Sequence, residues 1–310
     1  MLTYAPLRPG PGFRPFRAGC YMTQRLVTRP TIRCAVAAAT AATINRFHSS
    51  GAVMSGETAG EAAESRRILY HLQEYGYALL PRILSDGPLA EINAYLARKK
   101  VVLRSGERVD PSNVPATATI ADLPLEDVLR CPGVISLMND PRLIRLAVRF
   151  LGCLPTISTV GIRWSFPAAH EEASTQAFHR DTDDWHFFKV FVYLTDVDAA
   201  SGPHLYVPGS HLRSGTIRAR KVSEGELERD YGDKAVVAIT GQAGTNFVMN
   251  GYGIHAGPVP IERMRLMLEV GYSVLPSFAL NYSPLRISPS PPVDRYVNRL
   301  LLDFGSTKAC

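Results

Sequence analysis

Between residues 156 and 274 the chain is a succession of short β-rich runs: "TISTVGIRWSF", "FKVFVYLTDV", "HLYVPG", "AVVAI", "TNFVMN" and "RLMLEVGYSVL". Gly, Pro and Asn separate them, and no stretch between them is long and helical enough for a parallel crossover. The runs must therefore pair antiparallel, as a sandwich or barrel. Ahead of them, "EAAESRRILYHLQEYGYALLPRIL" places Ile68, Leu69 and Leu72 on one side of a helix and then turns extended. "DGPLAEINAYLARKK" repeats the helical pattern with Leu89, Ile92 and Leu96, and 124–153 reads as helix broken at Pro132 and at Asp140-Pro141. A Pro-rich tail ends in a helix predicted over 293–304. The expected fold is mainly β with flanking helices, one domain over 57–310.

Charge separates the two ends of the chain. The formal net charge of +6 suggests an anionic partner, yet residues 1–56 contain no Asp, Glu or Lys and hold seven arginines. Without those seven, 27 basic residues face 28 acidic ones, a net charge of −1, so the body has no compositional case for nucleic acid. An acid-free, Arg-rich start with Ser, Thr and Ala between the arginines has the composition of a mitochondrial presequence, the alternative being a disordered tail in a cytoplasmic protein. Its Ala-rich run over 34–44 is well short of the ~20 residues that cross a bilayer. Five cysteines without a CxxC spacing argue for a reducing compartment and against a thiolate metal site. With 46% hydrophobic and 20% charged residues, the rest has the make-up of a globular protein with a sizeable core; nothing in it sets an oligomeric state.

The chemistry is concentrated in "FHRDTDDWHFFKVFVYLTDVD", residues 178–198. His179 and Asp181 lie two apart at the end of a β-like run, so their side chains share a face and can ligate one metal. His255, in "GTNFVMNGYGIHAGP", ends another such run beside glycines. Two imidazoles and one carboxylate form the facial triad of non-haem Fe(II) oxygenases, with three positions left for cosubstrate and dioxygen. Arg265 follows His255 by ten residues and enters the next strand, where a buried guanidinium needs a carboxylate partner.

These residues, with "SGPHLYVPGSH" at 201–211, "GYGIHAGP" around the distal histidine and "YGYALLPRIL" upstream, resemble the phytanoyl-CoA dioxygenase family over 61–275. The resemblance implies a double-stranded β-helix, a jelly-roll or cupin-like core. It implies iron on His179, Asp181 and His255, and 2-oxoglutarate held through its distal carboxylate by Arg265, with Arg263 on the same strand face as the alternative. Phe191 and Gln176 are further candidates beside the cosubstrate. The implied reaction consumes Fe(II)-bound 2-oxoglutarate and O₂, with ascorbate as an auxiliary reductant, and hydroxylates a small organic or acyl substrate while releasing succinate and CO₂. The carboxylate at Asp181 favours hydroxylation over halogenation, which needs that ligand position free.

Other residues have plainer readings. Trp164 and Trp185 divide between pocket and core; Asp183, Asp184, His170 and His186 read as loop residues; His204 lies in a turn region and His211 reads as a structural hydrogen-bonding group. Lys189, Arg163 and Arg180 are explained equally well as surface charge. "HRD" also opens a protein-kinase catalytic loop, but the Asn that loop requires is His186 here. The remaining rivals are a non-catalytic metal-binding or regulatory module on the same fold, and a zinc hydrolase that would leave Arg265 without a role.

Overall fold

The computed structural model describes residues 7–168, 176–215, 222–232 and 235–305. His170 and Cys310 lie outside them. Among the described residues, eleven strands form two antiparallel sheets. The large sheet contains β1 (Tyr77–Leu80), β2 (Val101–Leu103), β3 (Arg108–Val109), β4 (Ile120–Asp122), β5 (Thr156–Ser165), β6 (Phe187–Tyr193), β9 (Asn246–Asn250) and β11 (Arg265–Ser273), in the order β1-β9-β6-β11-β5-β4-β2-β3. The small sheet orders β10 (His255–Ala256), β7 (His204–Tyr206) and β8 (Val237–Ile239) as β10-β7-β8.

Strand periodicity assigns each face of the large sheet its task. Along β11, Leu266, Leu268, Val270 and Tyr272 point into the main core, which also takes Val190, Val192 and Val248 from the neighbouring strands. Arg265, Met267, Glu269 and Gly271 alternate with them. Register places Met267 opposite Tyr193, Glu269 opposite Phe191 and Gly271 opposite Lys189, so these side chains share the other face. A second, smaller core of Phe191, Tyr193, Phe247, Met249 and Met267 lies between that face and Tyr206 and Ile239 of the small sheet. Both faces of β6 are covered, which is why "FFKVFVY" is nearly continuous in apolar character.

Helices cover the outer face. α1 (Pro15–Leu26), α2 (Pro30–Asn45) and α3 (Gly51–Met54) precede α4 (Ala59–Glu74), α5 (Asp86–Leu96), α6 (Leu125–Arg130), α7 (Val134–Met138) and α8 (Pro141–Leu151). A reciprocal cap between Thr58 and Glu61 starts α4. α8 begins on the Asp140 cap with Pro141 in its first turn and stops at left-handed Gly152, φ 77°. Leu72 of α4, Ile92 and Leu96 of α5, and Leu146, Ala147 and Leu151 of α8 fill the main core with the strands. α9 (Glu224–Tyr231) and α10 (Arg295–Asn298) complete the set, and no described helix is long and apolar enough to cross a membrane.

Two expectations need correction. The helix expected over 293–304 is one turn, α10, because Leu285 donates to Leu301 O and Asp303 donates to Leu285 O, drawing the chain into an extended pairing. The disordered-tail reading of the first segment gives way over 15–45, which forms α1 and α2 packed on the body, while the presequence reading stays an expectation. Ala37 and Ala41 join the main core, and Asn45 donates to Gly152 O at 2.8 Å, capping the end of α8.

Candidate metal centre

His179, Asp181 and His255 meet where the two sheets approach. His179 and His255 exchange both backbone hydrogen bonds, at 2.9 and 3.0 Å, and Asp181 N donates to Gly251 O at 3.0 Å. This isolated bridge sets two ligands side by side and turns the third toward them. The glycines of "GYG" are there for close approach: a Cβ at Gly251 would overlap the Phe187 ring, and one at Gly253 the Tyr206 phenol.

One ligand atom from each residue lies within 4.8 Å of the others, the only such cluster among the described residues. Asp181 Oδ1 stands 3.5 Å from His179 Nε2, and its Oδ2 stands 3.5 Å from His255 Nε2. The opposite nitrogens are committed: His179 Nδ1 lies 2.8 Å from Ala177 O, and His255 Nδ1 lies 2.9 Å from Gly253 O. A carbonyl only accepts, so each Nδ1 carries the proton and each Nε2 presents a lone pair toward Asp181. Both imidazoles are thereby fixed in the metal-binding tautomer.

Lys189, read as surface charge, is instead drawn inward. Its side chain is 12% exposed, and Nζ lies 2.8 Å from Asp181 Oδ2 and 3.1 Å from Asp183 Oδ2. Burial pushes the Asp181 carboxyl up, but Lys189 and His255 outweigh it and hold the group well below the usual carboxylate range. Asp181 is thus ionised and oriented before any cation arrives. Burial lowers His255, whereas for His179 the neighbouring Asp181 overcomes burial and raises it.

Next to the ligands, the His204 ring lies 5.5 Å from the His255 ring, and Phe191 packs 5.0 Å from His204 and 5.1 Å from Phe247. Arg265 is 3% exposed at the start of β11. Its Nη2 donates to Ser165 Oγ at 3.2 Å, while Nε and Nη1 are buried with no partner among the described residues. Burial pushes its pKa down to about 10. A buried guanidinium with two unanswered donors calls for an anion, and a carboxylate matches its planar fork. Gln176 is also buried, and neither amide atom has a partner among the described residues.

The structure separates the two candidate arginines. Arg263 is exposed and ion-paired with Asp198, so it is corrected to a surface residue: the chain enters the sheet only at Arg265. Among the other candidates, Trp164 belongs to the main core and Trp185 packs against it. Asp183 pairs with Lys189, and Asp184, read as solvated, is fully buried. His186 stacks on Phe150 at 4.1 Å and bonds its carbonyl at 3.1 Å. His204 is in β7 rather than a turn, and His211 bonds Gln73 O at 2.9 Å. Arg163 forks onto Asp122 at 2.7 and 3.0 Å. Arg180 donates to Ser210 O at 2.8 Å and Tyr252 O at 2.7 Å. The roles of Lys189 and His204 depend on cross-strand register, which no local pattern encodes.

No curated protein matches in sequence. Among solved structures, the epimerase SnoN in complex with Fe3+, alpha ketoglutarate and nogalamycin RO shares the fold at 19% identity and TM-score 0.53, over 79% of this chain and 97% of that one. EctD from S. alaskensis with bound Fe matches at 19% identity and TM-score 0.51, over 76% and 86%. The family model for phytanoyl-CoA dioxygenase (PhyH) matches residues 72–258, a span running from α4 through the distal histidine. The chain therefore belongs to the phytanoyl-CoA dioxygenase family of Fe(II)/2-oxoglutarate oxygenases.

Proposed function

We propose that this protein is an Fe(II)- and 2-oxoglutarate-dependent dioxygenase that hydroxylates a small organic or acyl substrate, releasing succinate and CO₂. One observation carries the reading: two imidazoles with Nδ1 tied to carbonyls and Nε2 turned to one ionised carboxylate, on a sheet face that also buries a guanidinium with unanswered donors. Bound iron would supply the activation of O₂. The chain's own residues do the rest. His179, Asp181 and His255 would hold the cation, and Lys189 keeps Asp181 charged and in one rotamer. Arg265, with Ser165 fixing one arm of its guanidinium, would take the distal carboxylate of 2-oxoglutarate. Phe191, His204 and Phe247 line this end of the interior with rings and exclude water between the sheets.

The zinc-hydrolase alternative gives Arg265 nothing to bind, and a purely regulatory module does not need it either. Succinate release from 2-oxoglutarate by the wild type and by His179→Ala tests the proposal. Turnover that needs Fe(II) and O₂ and disappears in the variant supports it. Wild type that neither turns over nor binds 2-oxoglutarate overturns it. A like-folded epimerase makes the product worth weighing: hydroxylation adds one oxygen to the substrate mass, whereas isomerisation leaves it unchanged.

A further inference from the structure

The iron-ligand loops receive support from an unexpected direction. Apart from the bridge joining His179 to His255, the segments 182–185 and 251–254 lie outside the strands and depend on other contacts for their shape. Some are body contacts, such as Ile254 N donating to Ser210 Oγ and Lys189 pairing with Asp183; the others come from α1, α2 and the turn between them. Arg33 of α2 is 2% exposed, though it is an arginine. Its Nη1 donates to Gln24 O at 2.6 Å and Val27 O at 3.1 Å, and its Nη2 donates to Asp184 O. Its guanidinium lies 4.2 Å from the Tyr252 ring centre and 5.6 Å from that of Trp185. One side chain therefore touches the loop that follows Asp181 and the loop that precedes His255.

Neighbouring residues of the same segment repeat this grip. Gln24 Nε2 donates to Asp184 Oδ1 at 3.1 Å, Arg25 Nε donates to Thr182 Oγ1 at 3.2 Å, and Tyr252 Oη donates to Thr28 O at 2.7 Å. On the body side, Arg180, between the two ligands of the first loop, packs its guanidinium 5.2 Å from the same Tyr252 ring. Asp184 Oδ2 accepts from Leu275 N at 2.7 Å, linking this cluster to the end of β11. Burying a guanidinium at such cost is justified where its donors and ring contacts fix a geometry. The geometry fixed here is the spacing between two ligand loops.

We propose that Arg33 is a positioning residue for the metal centre, and that α1 and α2 form a retained arm holding the Asp181 and His255 loops in register. The proposal rests on the iron reading above. A presequence removed on import would take Arg33 with it, so the arm and a cleaved address are alternative fates for this segment.

The test is anaerobic equilibrium dialysis of Fe(II) against the full chain, with thermal stability read in parallel. Arg33→Met is expected to weaken Fe(II) affinity by about 10-fold, the scale typical of groups that orient metal ligands. Arg33→Lys regains part of it, since an ammonium can still sit over Tyr252 but cannot span to Asp184 O. The control is Arg17→Ala, which frees the far end of the arm from Phe278 O and Asn281 Oδ1 without touching either ligand loop. It lowers stability and leaves Fe(II) affinity unchanged. Should Arg33→Met fail to fold, Gln24→Met, which keeps Arg33 in place and removes one donor from Asp184, shows a smaller loss of affinity in the same direction. Arg33 and Gln24 variants that bind Fe(II) as tightly as wild type, while losing stability as Arg17→Ala does, overturn the proposal and leave the iron site standing. A wild-type chain that takes up no Fe(II) overturns both.

Discussion

The two faces of β11 and β6 are built from alternate residues of the same strands, yet they serve opposite ends. Toward the helices stand Val190, Val192, Leu266, Leu268 and Val270, hydrocarbon throughout. Toward the small sheet stand Lys189, Phe191, Arg265 and Glu269, where charge and aromatic rings share a confined space. The helix-side face gains its stability from apolar burial and close packing. The inner face spends some of that stability on desolvated charges, which a fold tolerates where the charges have a protein partner or a ligand to meet. Folding and chemistry are thus separated by a single step in strand phase.

The separation breaks most visibly at the ligands. Asp181→Asn removes the carboxylate charge and leaves buried Lys189 with Asp183 at 3.1 Å but without its nearer partner; Fe(II) uptake and succinate release should both vanish, as metal analysis and a turnover assay will show. On the helix side, Leu268→Ala should cost about 2–5 kcal/mol in denaturant unfolding, with Fe(II) affinity retained. His186, stacked on Phe150 behind the sheet, sharpens the same point through pH. Burial pushes its imidazole down to about 4, below the unfolded value of 6.5, so its contribution is present above pH 6.5 and is lost as pH falls through about 4. His186→Gln should remove roughly 2–3 kcal/mol of that acid sensitivity from unfolding curves measured across this window.

Back on the inner face, Arg265→Leu should raise the KM for 2-oxoglutarate roughly 100-fold, the scale of a lost buried charge pair. Its unfolding free energy should stay within about 1 kcal/mol of wild type, because the substitution also removes a costly unpaired cation. The smallest effect belongs to Arg263→Ala, two residues away on the exposed side: stability within about 0.5 kcal/mol and an unchanged KM.

This contrast also explains what the sequence could convey. The antiparallel β body was legible because strand periodicity and turn residues are local signals. The cluster of His179, Asp181 and His255 was legible because His179 and Asp181 are two residues apart and His255 is embedded among glycines whose neighbours leave no room for a side chain. Lys189 was illegible, since it meets Asp181 only once a loop folds back over β6. The first segment carried less information: an acid-free run of Arg and Ala suits an import signal, and it equally suits a helix that buries Ala37 and Ala41 and sets Arg33 between two loops. Composition is the same in both cases, and the packing of Arg33 depends on tertiary partners that no local pattern encodes.

The central claim is that three ligands and Arg265 together form one site for iron and a dicarboxylate. Calorimetric titration of 2-oxoglutarate under nitrogen, into wild type with and without Fe(II), tests it most directly. The account predicts binding that requires Fe(II), is lost in His179→Ala and is strongly weakened in Arg265→Leu. Binding that is equal with and without the metal, or that survives the loss of Arg265 unchanged, would contradict it.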